Sequence, residues 1–289
     1  MSTWDGDGSP PVPRRLGATD WLRVLVRGLP MALVVFGGLV LLLVLRLVER
    51  PIFGMHRPVT PHITTQVCWI ALGLMGLRCE VSGTPLRGQG AQVANHASWL
   101  DIFVLNACQQ VYFVSKSEVA GWPGIGWLAR ATGTLFIRRD RSATADQAQA
   151  FHARLQAGHH LILFPEGTSS DSRRVLPFKS SLFSAFFQPD LREGSAVQPV
   201  TVVYHPPEGG DPRFYGWWGD MEFGEHFLQM LAQPRHGRVE VMFHDPIAVR
   251  DCADRKTLAK RCEAVIRAHH PFGSDQSART SATESPAAR

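Results

Sequence analysis

The sequence predicts an α/β fold, a mixed sheet flanked by helices, preceded by an N-terminal hydrophobic helical segment that anchors it to a membrane. Two observations carry this expectation. From Leu29 to Leu45 no residue is charged, and the apolar run resumes after Arg46 as far as Val48. After Gly83 the pattern changes to short apolar runs, rich in β-branched and aromatic residues, that alternate with longer segments of helical period. With 45% hydrophobic and 19% charged residues over 289 positions, the chain can bury a sizeable core.

Residues 1–20 are expected to form a disordered N-terminus, led by a stretch rich in Gly, Pro and Asp. Residues 21–80 are expected to form the membrane anchor. About twenty helical residues cross the hydrocarbon core of a bilayer. Arg27 and Arg46 stand at the two ends of the apolar run, where their head groups can reach the interface. A cleaved signal peptide would be shorter and would end in small residues rather than Arg46, Glu49 and Arg50. A buried core helix is the other alternative. Val67 to Leu77 is apolar but too short to span, and reads as a re-entrant or interfacial helix.

Residues 81–272 are expected to form the second domain. Val111 to Ser115, Thr134 to Ile137, Leu161 to Phe164, Ala196 to Tyr204 and Val239 to Phe243 read as strands. Ala143 to Ala157, ended by Gly158, reads as a helix, as do Phe178 to Gln188 and Lys256 to His269. Trp122, Pro123 and Trp127 read as a hydrophobic loop. The tail 273–289 lacks periodicity and is expected to be disordered.

A net charge of +5 favours anionic partners. No nucleic-acid recognition motif accompanies it, so nucleic acid is not expected as a partner. The five cysteines form no C-x-x-C pair, which points to reduced thiols rather than a disulfide framework. The twelve histidines show no metal-binding spacing, and no metal site is expected.

Asn95-His96-Ala97-Ser98-Trp99-Leu100-Asp101 places a potential base and a carboxylate five residues apart. On a regular helix that spacing turns the side chains roughly 140° apart. They can meet if His96 lies on the loop before a helix and the chain turns at Ser98, whose spacing to Asp101 is that of a capping box. A cap with no chemistry is the alternative reading. The Leu161–Phe164 strand runs into Pro165-Glu166-Gly167-Thr168-Ser169-Ser170. A carboxylate at a strand mouth, followed by a glycine that admits close backbone approach, suits a polar head group; a tight turn holding an acid is the alternative. Arg138, Arg139 and Arg141 follow one strand, and Arg173, Arg174 and Lys179 follow the Glu166 turn. Two such clusters at the ends of neighbouring strands can clamp a phosphate or carboxylate, although any one arginine reads equally as surface charge. There is no G-x-S-x-G elbow and no P-loop, and no covalent nucleophile presents itself. A histidine with an oriented carboxylate can instead activate an external hydroxyl.

In order, these residues resemble the glycerolipid acyltransferase family. N-H-x-x-x-x-D fits Asn95 to Asp101. A glycine before an apolar strand ending in arginine fits Gly133 to Arg139. F-P-E-G-T fits Phe164 to Thr168, and a strand containing proline fits Val197 to Val202. The resemblance covers roughly residues 80–205. It implies that His96, held by Asp101, deprotonates a lysolipid hydroxyl that then attacks an acyl thioester. It also implies substrate binding by Asn95, Arg138, Arg139, Glu166, Gly167, Thr168, Arg173 and Lys179. The expected donor is acyl-CoA or acyl carrier protein, a co-substrate rather than a cofactor. Membrane lipids and a lysolipid acceptor are the expected partners. The expected location is the membrane, with the catalytic domain on the cytoplasmic side of the inner membrane. The leading acceptor is 1-acyl-sn-glycerol-3-phosphate, giving phosphatidic acid, because it is the common substrate. Ser169, where family members using that substrate commonly have arginine, and the aromatic block Phe214 to Trp218 resemble the lyso-ornithine lipid branch and make that the alternative acceptor. A non-catalytic, membrane-tethered lipid-binding protein is a reading of another class, but retention of both His96 and Asp101 weighs against it.

Overall fold

A computed structural model describes residues 4–6, 10–137 and 144–272. The helices are α1 (Ala18–Phe53), α2 (Thr60–Met75), α3 (Leu100–Cys108), α4 (Ile125–Thr132), α5 (Thr144–Gln156), α6 (Pro189–Arg192), α7 (Phe223–Ala232) and α8 (Arg255–His269). The strands are β1 (Arg78–Ser82), β2 (Gly90–Ala94), β3 (Tyr112–Lys116), β4 (Leu135–Ile137), β5 (Leu161–Leu163), β6 (Ala196–His205), β7 (Arg238–Phe243) and β8 (Ile247–Ala248). They form one mixed sheet in the order β1-β7-β6-β2-β5-β3-β4, with β8 beside β6. β2 runs parallel to both neighbours, and β6 is antiparallel to β7 and β8.

The central strands are buried on both faces, which is why β6 reads as a nearly continuous apolar run rather than an alternation. Residues of α1, α2, α3 and α7 pack on one face. Phe151 and Leu155 of α5 and Leu258, Cys262 and their neighbours on α8 pack on the other. β1 escapes sequence reading because it is a charged, mostly exposed edge strand. It begins at Arg78, so the sheet starts inside the segment assigned to the anchor.

Three local expectations change. The helix expected over Phe178 to Gln188 is 3₁₀ over Ser180–Phe187, and its two buried side chains, Phe183 and Phe186, are three residues apart as that period requires. The hydrophobic loop near Trp127 contains α4, bounded by Gly124 and the left-handed Gly133. The N-terminus is structured from before residue 20: α1 begins at Ala18, Arg14 pairs with Asp20 at 2.6 Å, and Gln229 donates to the Arg14 carbonyl. The tail 273–289 lies outside the described residues.

α1 is long and apolar enough to cross a membrane by length and composition. One stripe of it, Val24, Met31, Val35 and Leu42, is buried, while Leu33, Val40, Leu47 and other large apolar residues face outward. Near its start, Arg27 donates to the carbonyls of Leu231 and Gln233 at the end of α7, a cation on a helix C-terminus. Near its end, Glu49 accepts from the Val59 and Thr60 amides, from the Thr60 hydroxyl and from Arg46, and so caps α2 from outside. Between these ties α1 and α2 approach closely. A Cβ at Gly38 would overlap the Val67 side chain, whereas one at Gly37 would meet nothing. Gly38→Leu is therefore expected to lower the thermal unfolding midpoint in detergent, at a cost of about 1–3 kcal/mol for the forced overlap. Gly37→Leu should leave the midpoint unchanged or slightly raised. Equal midpoints for the two variants would contradict this packing.

Candidate active site

The register of β2 on β5 decides where the site lies. Ala91 pairs with Leu161 and Val93 with Leu163. The same offset, carried past the strand ends, sets His96 level with Glu166, and the His96 amide donates to Glu166 Oε1 at 3.0 Å. On the other side of β2, Asn95 donates its amide to the Val202 carbonyl and accepts from the Val202 amide, both at 2.8 Å. Asn95 is buried, and both ends of its side chain are engaged by β6. It fixes the start of the His96 loop rather than facing a substrate.

The capping box forms in part. Asp101 Oδ2 accepts from the Ser98 amide at 3.1 Å and the Ala97 amide at 2.8 Å, whereas the Ser98 hydroxyl lies only within 3.4 Å of the Leu100 amide. That turn brings His96 Nδ1 to 2.7 Å from the same oxygen. An ionised carboxylate only accepts, so Nδ1 carries the proton and Nε2 keeps its lone pair. Asp101 is fully buried, while the His96 side chain is 18% exposed. The imidazole stacks on Phe164, with centroids 4.0 Å apart. Its backbone carbonyl accepts from both the amide and the hydroxyl of Ser170.

Glu166 is buried, and its Oε2 has no hydrogen-bond partner among the described residues. Burial pushes its carboxyl well above the usual carboxylate range, against the opposing pull of the His96 amide. Gly167 sits at a φ of 72°, a left-handed conformation suited to glycine. A Cβ there would meet Lys179 Nζ at 2.6 Å, so Lys179 packs directly on this loop. The Gly167 amide donates to the Phe164 carbonyl and closes the turn. The Thr168 amide has no acceptor among the described residues.

The basic clusters are arranged differently from the expectation. Arg173 lies over the Phe272 ring at 3.5 Å, and Arg174 pairs with Asp171 at 3.0 Å and lies over Trp4. Arg138 and Arg139 lie outside the described residues. β4, which leads to them, is separated from β5 by β3, so the two clusters do not follow neighbouring strands. Among the described residues no group of His, Cys, Asp and Glu is placed to hold a metal ion.

Sequence reasoning missed Tyr204, Ser170 and the placement of the aromatic block. Tyr204 donates its hydroxyl to Asp101 Oδ1 at 2.7 Å. The Trp217 amide donates to the Ala97 carbonyl, and a Cβ at Gly216 would lie 2.6 Å from the Asp171 backbone. The block is thus wedged between the His96 and Glu166 loops. The available signal was a polar-tipped tyrosine near the end of an otherwise apolar buried strand. Together these groups form a fixed imidazole whose outward nitrogen can accept a proton from an external hydroxyl.

The raised Glu166 carboxyl carries a pH signature. A group that binds its proton more tightly when folded gives stability that is complete below its unfolded value, about 4.3, and is lost as pH rises toward its folded value. Unfolding free energy should therefore fall with pH above that point, and Glu166→Gln should make the slope shallower by up to about 1.4 kcal/mol per pH unit. Denaturant titrations at a series of pH values read this directly, and parallel slopes would show that the carboxyl is ionised when folded.

The Acyltransferase family model matches residues 78–203. The chain is 55% identical over 91% of its length to a lyso-ornithine lipid O-acyltransferase from Rhodobacter capsulatus, of which it covers 95%. It is 34% identical over 48% of its length to a 1-acyl-sn-glycerol-3-phosphate acyltransferase from Neisseria gonorrhoeae, covering 54% of that protein. The fold matches the crystal structure of the 1-acyl-sn-glycerophosphate acyltransferase PlsC from Thermotoga maritima with a TM-score of 0.60 at 21% identity, over 86% of this chain and 92% of that one. The chain belongs to the glycerolipid acyltransferase family and is an enzyme that acylates lysolipids.

Proposed function

We propose that this enzyme transfers an acyl chain from acyl-CoA or acyl carrier protein to the free hydroxyl of lyso-ornithine lipid, giving ornithine lipid. The observation that carries the acceptor is the 55% identity to the Rhodobacter capsulatus lyso-ornithine lipid O-acyltransferase over 95% of that protein. This reverses the preference for 1-acyl-sn-glycerol-3-phosphate, which rested on that substrate being common. The site residues support the reversal. Ser169 is a small buried hydroxyl at the position where the resemblance leads one to expect arginine. Arg173 and Arg174, the arginines that follow in sequence, are engaged by Phe272 and Asp171. An amino-acid head group carries its own ammonium beside its carboxylate, so it needs less clustered positive charge than a phosphate monoester does.

In this reading His96 Nε2 takes the proton of the acceptor hydroxyl, and the oxygen attacks the thioester carbonyl. As the carbon–sulfur bond breaks, His96 returns the proton to the departing thiolate. No acyl-enzyme forms. The Thr168 amide is the donor available to the developing oxyanion, and Glu166 and Lys179 border the acceptor. The outward apolar residues of α1, together with exposed Trp69 and Trp127, enter the bilayer and hold the site beside its lipid substrates. The catalytic domain faces the cytoplasm, where acyl thioesters are made.

Membranes containing His96→Ala, supplied with an acyl thioester and lyso-ornithine lipid, should lose activity by about 10²–10⁴-fold, the range of general-base catalysis. Undiminished turnover would remove His96 from the mechanism. Wild-type enzyme offered lyso-ornithine lipid and lysophosphatidate together should acylate the former preferentially, and a preference for lysophosphatidate would overturn the acceptor.

A further inference from the structure

Asp101 has two oxygens with unlike surroundings. Oδ2 takes the imidazole and two loop amides, and Oδ1 takes the Tyr204 hydroxyl at 2.7 Å. Tyr204 is buried, as is its neighbour Tyr215, whose ring lies 5.3 Å away. The Tyr215 hydroxyl is in turn fixed by the Gly237 amide at 2.9 Å and by His236 at 3.1 Å. We propose that Tyr204 is a positioning residue for the acyl transfer, one that sets how strongly Asp101 holds the imidazole and hence the pH at which His96 becomes a competent base. The proposal rests on His96 being that base.

A phenol donating to Oδ1 draws negative charge away from the oxygen that faces Nδ1. Withdrawing the donor leaves more charge there to stabilise an imidazolium, so the proton stays on His96 to higher pH. Burial and the neighbouring Asp101 charge push the Tyr204 phenol far above its usual range, so it remains a neutral donor wherever the enzyme works. Among the described residues, the other titratable groups facing this assembly are Glu166 on the β5 loop, Cys79 on β1 and Tyr215 and His236 behind Tyr204, with Arg267 of α8 acting on Glu166 and Lys179 packed on Gly167 beside it. Tyr204→Phe leaves all of these in place.

Tyr204→Phe should move the acid limb of the kcat/KM profile upward by about half a unit to one unit. It should lower kcat by about tenfold while leaving KM for acceptor and donor within about twofold. Replacing Tyr204 with 3-fluorotyrosine, a stronger donor of nearly the same shape, should move the limb downward, and this variant decides the matter if Tyr204→Phe folds poorly. A limb that stays fixed in the fluorinated protein, or activity lost only in proportion to folded enzyme, would reduce Tyr204 to a packing residue and overturn the proposal. If His96→Ala abolishes turnover while the limb stays fixed, only the role of Tyr204 fails. If His96→Ala remains active, it is the base assignment that fails.

Discussion

A carboxylate with no exposure to water is the constraint from which the rest of the site follows. Moving Asp101 out of solvent costs several kcal/mol unless its oxygens are fully served. Hydrogen bonds to a charged acceptor contribute about 1.5–3 kcal/mol each, so only several acting together offset that cost. The donors come from two separate parts of the chain, the loop of residues 96–98 and β6. The loop must therefore turn tightly enough to aim two amides at Asp101, and β6 must run past the end of β2 so that Tyr204 reaches Oδ1. The length of β6 is sustained by β2 on one side and β7 on the other.

The same constraint ties α1 to the His96 loop. Arg27 of α1 holds the carbonyls that end α7. His226 of α7 accepts from Trp99 Nε1 at 2.8 Å, inside the turn that carries His96 and Asp101. Through its other nitrogen His226 reaches the carbonyl of Phe214, at the head of the aromatic block that lies against Ala97 and Asp171. Burial holds the His226 imidazole down to about 4, so it stays neutral and able to accept from Trp99 across the working range. The helix α1, long and apolar enough to cross a membrane, and the His96 loop are thus joined by short, directional contacts rather than by a flexible tether.

Much of this was legible in the sequence, for identifiable reasons. The five strands expected from apolar runs all occur, because short runs rich in β-branched and aromatic residues suit both the fully buried and the half-buried strands of this sheet. His96 and Asp101 were readable because their contact is local and a turn at Ser98 suffices to make it. The structural roles of Asn95 and of one Glu166 oxygen were not legible because their partners, Val202 and the His96 backbone, are brought to them by sheet register, which spacing along the chain does not encode. The contact of Tyr204 with Asp101 was not legible for the same reason, the two being more than a hundred residues apart. β1 was missed because an exposed edge strand is polar, and the 3₁₀ segment was taken for α-helix because both periods place apolar residues three apart.

Most polar atoms of the recognisable motifs are spent on holding the structure. Asn95 stitches β2 to β6, one oxygen of Glu166 holds the His96 backbone, and the Gly167 amide closes its own turn. What remains for the proposed reaction is His96 Nε2, on a side chain 18% exposed, with the buried, unpartnered Glu166 Oε2 and the Thr168 amide on the neighbouring loop. Three atoms suffice to deprotonate a hydroxyl and receive charge on a carbonyl, but they are too few, and too general, to distinguish one lysolipid head group from another. In the proposed reaction, discrimination would draw on groups outside the motifs, such as the buried Ser169 and the Phe214–Trp218 block wedged between the two loops. Neither group is itself a hydrogen-bond partner of Asp101, so the shape and charge they offer a head group are set separately from the contacts that hold the imidazole.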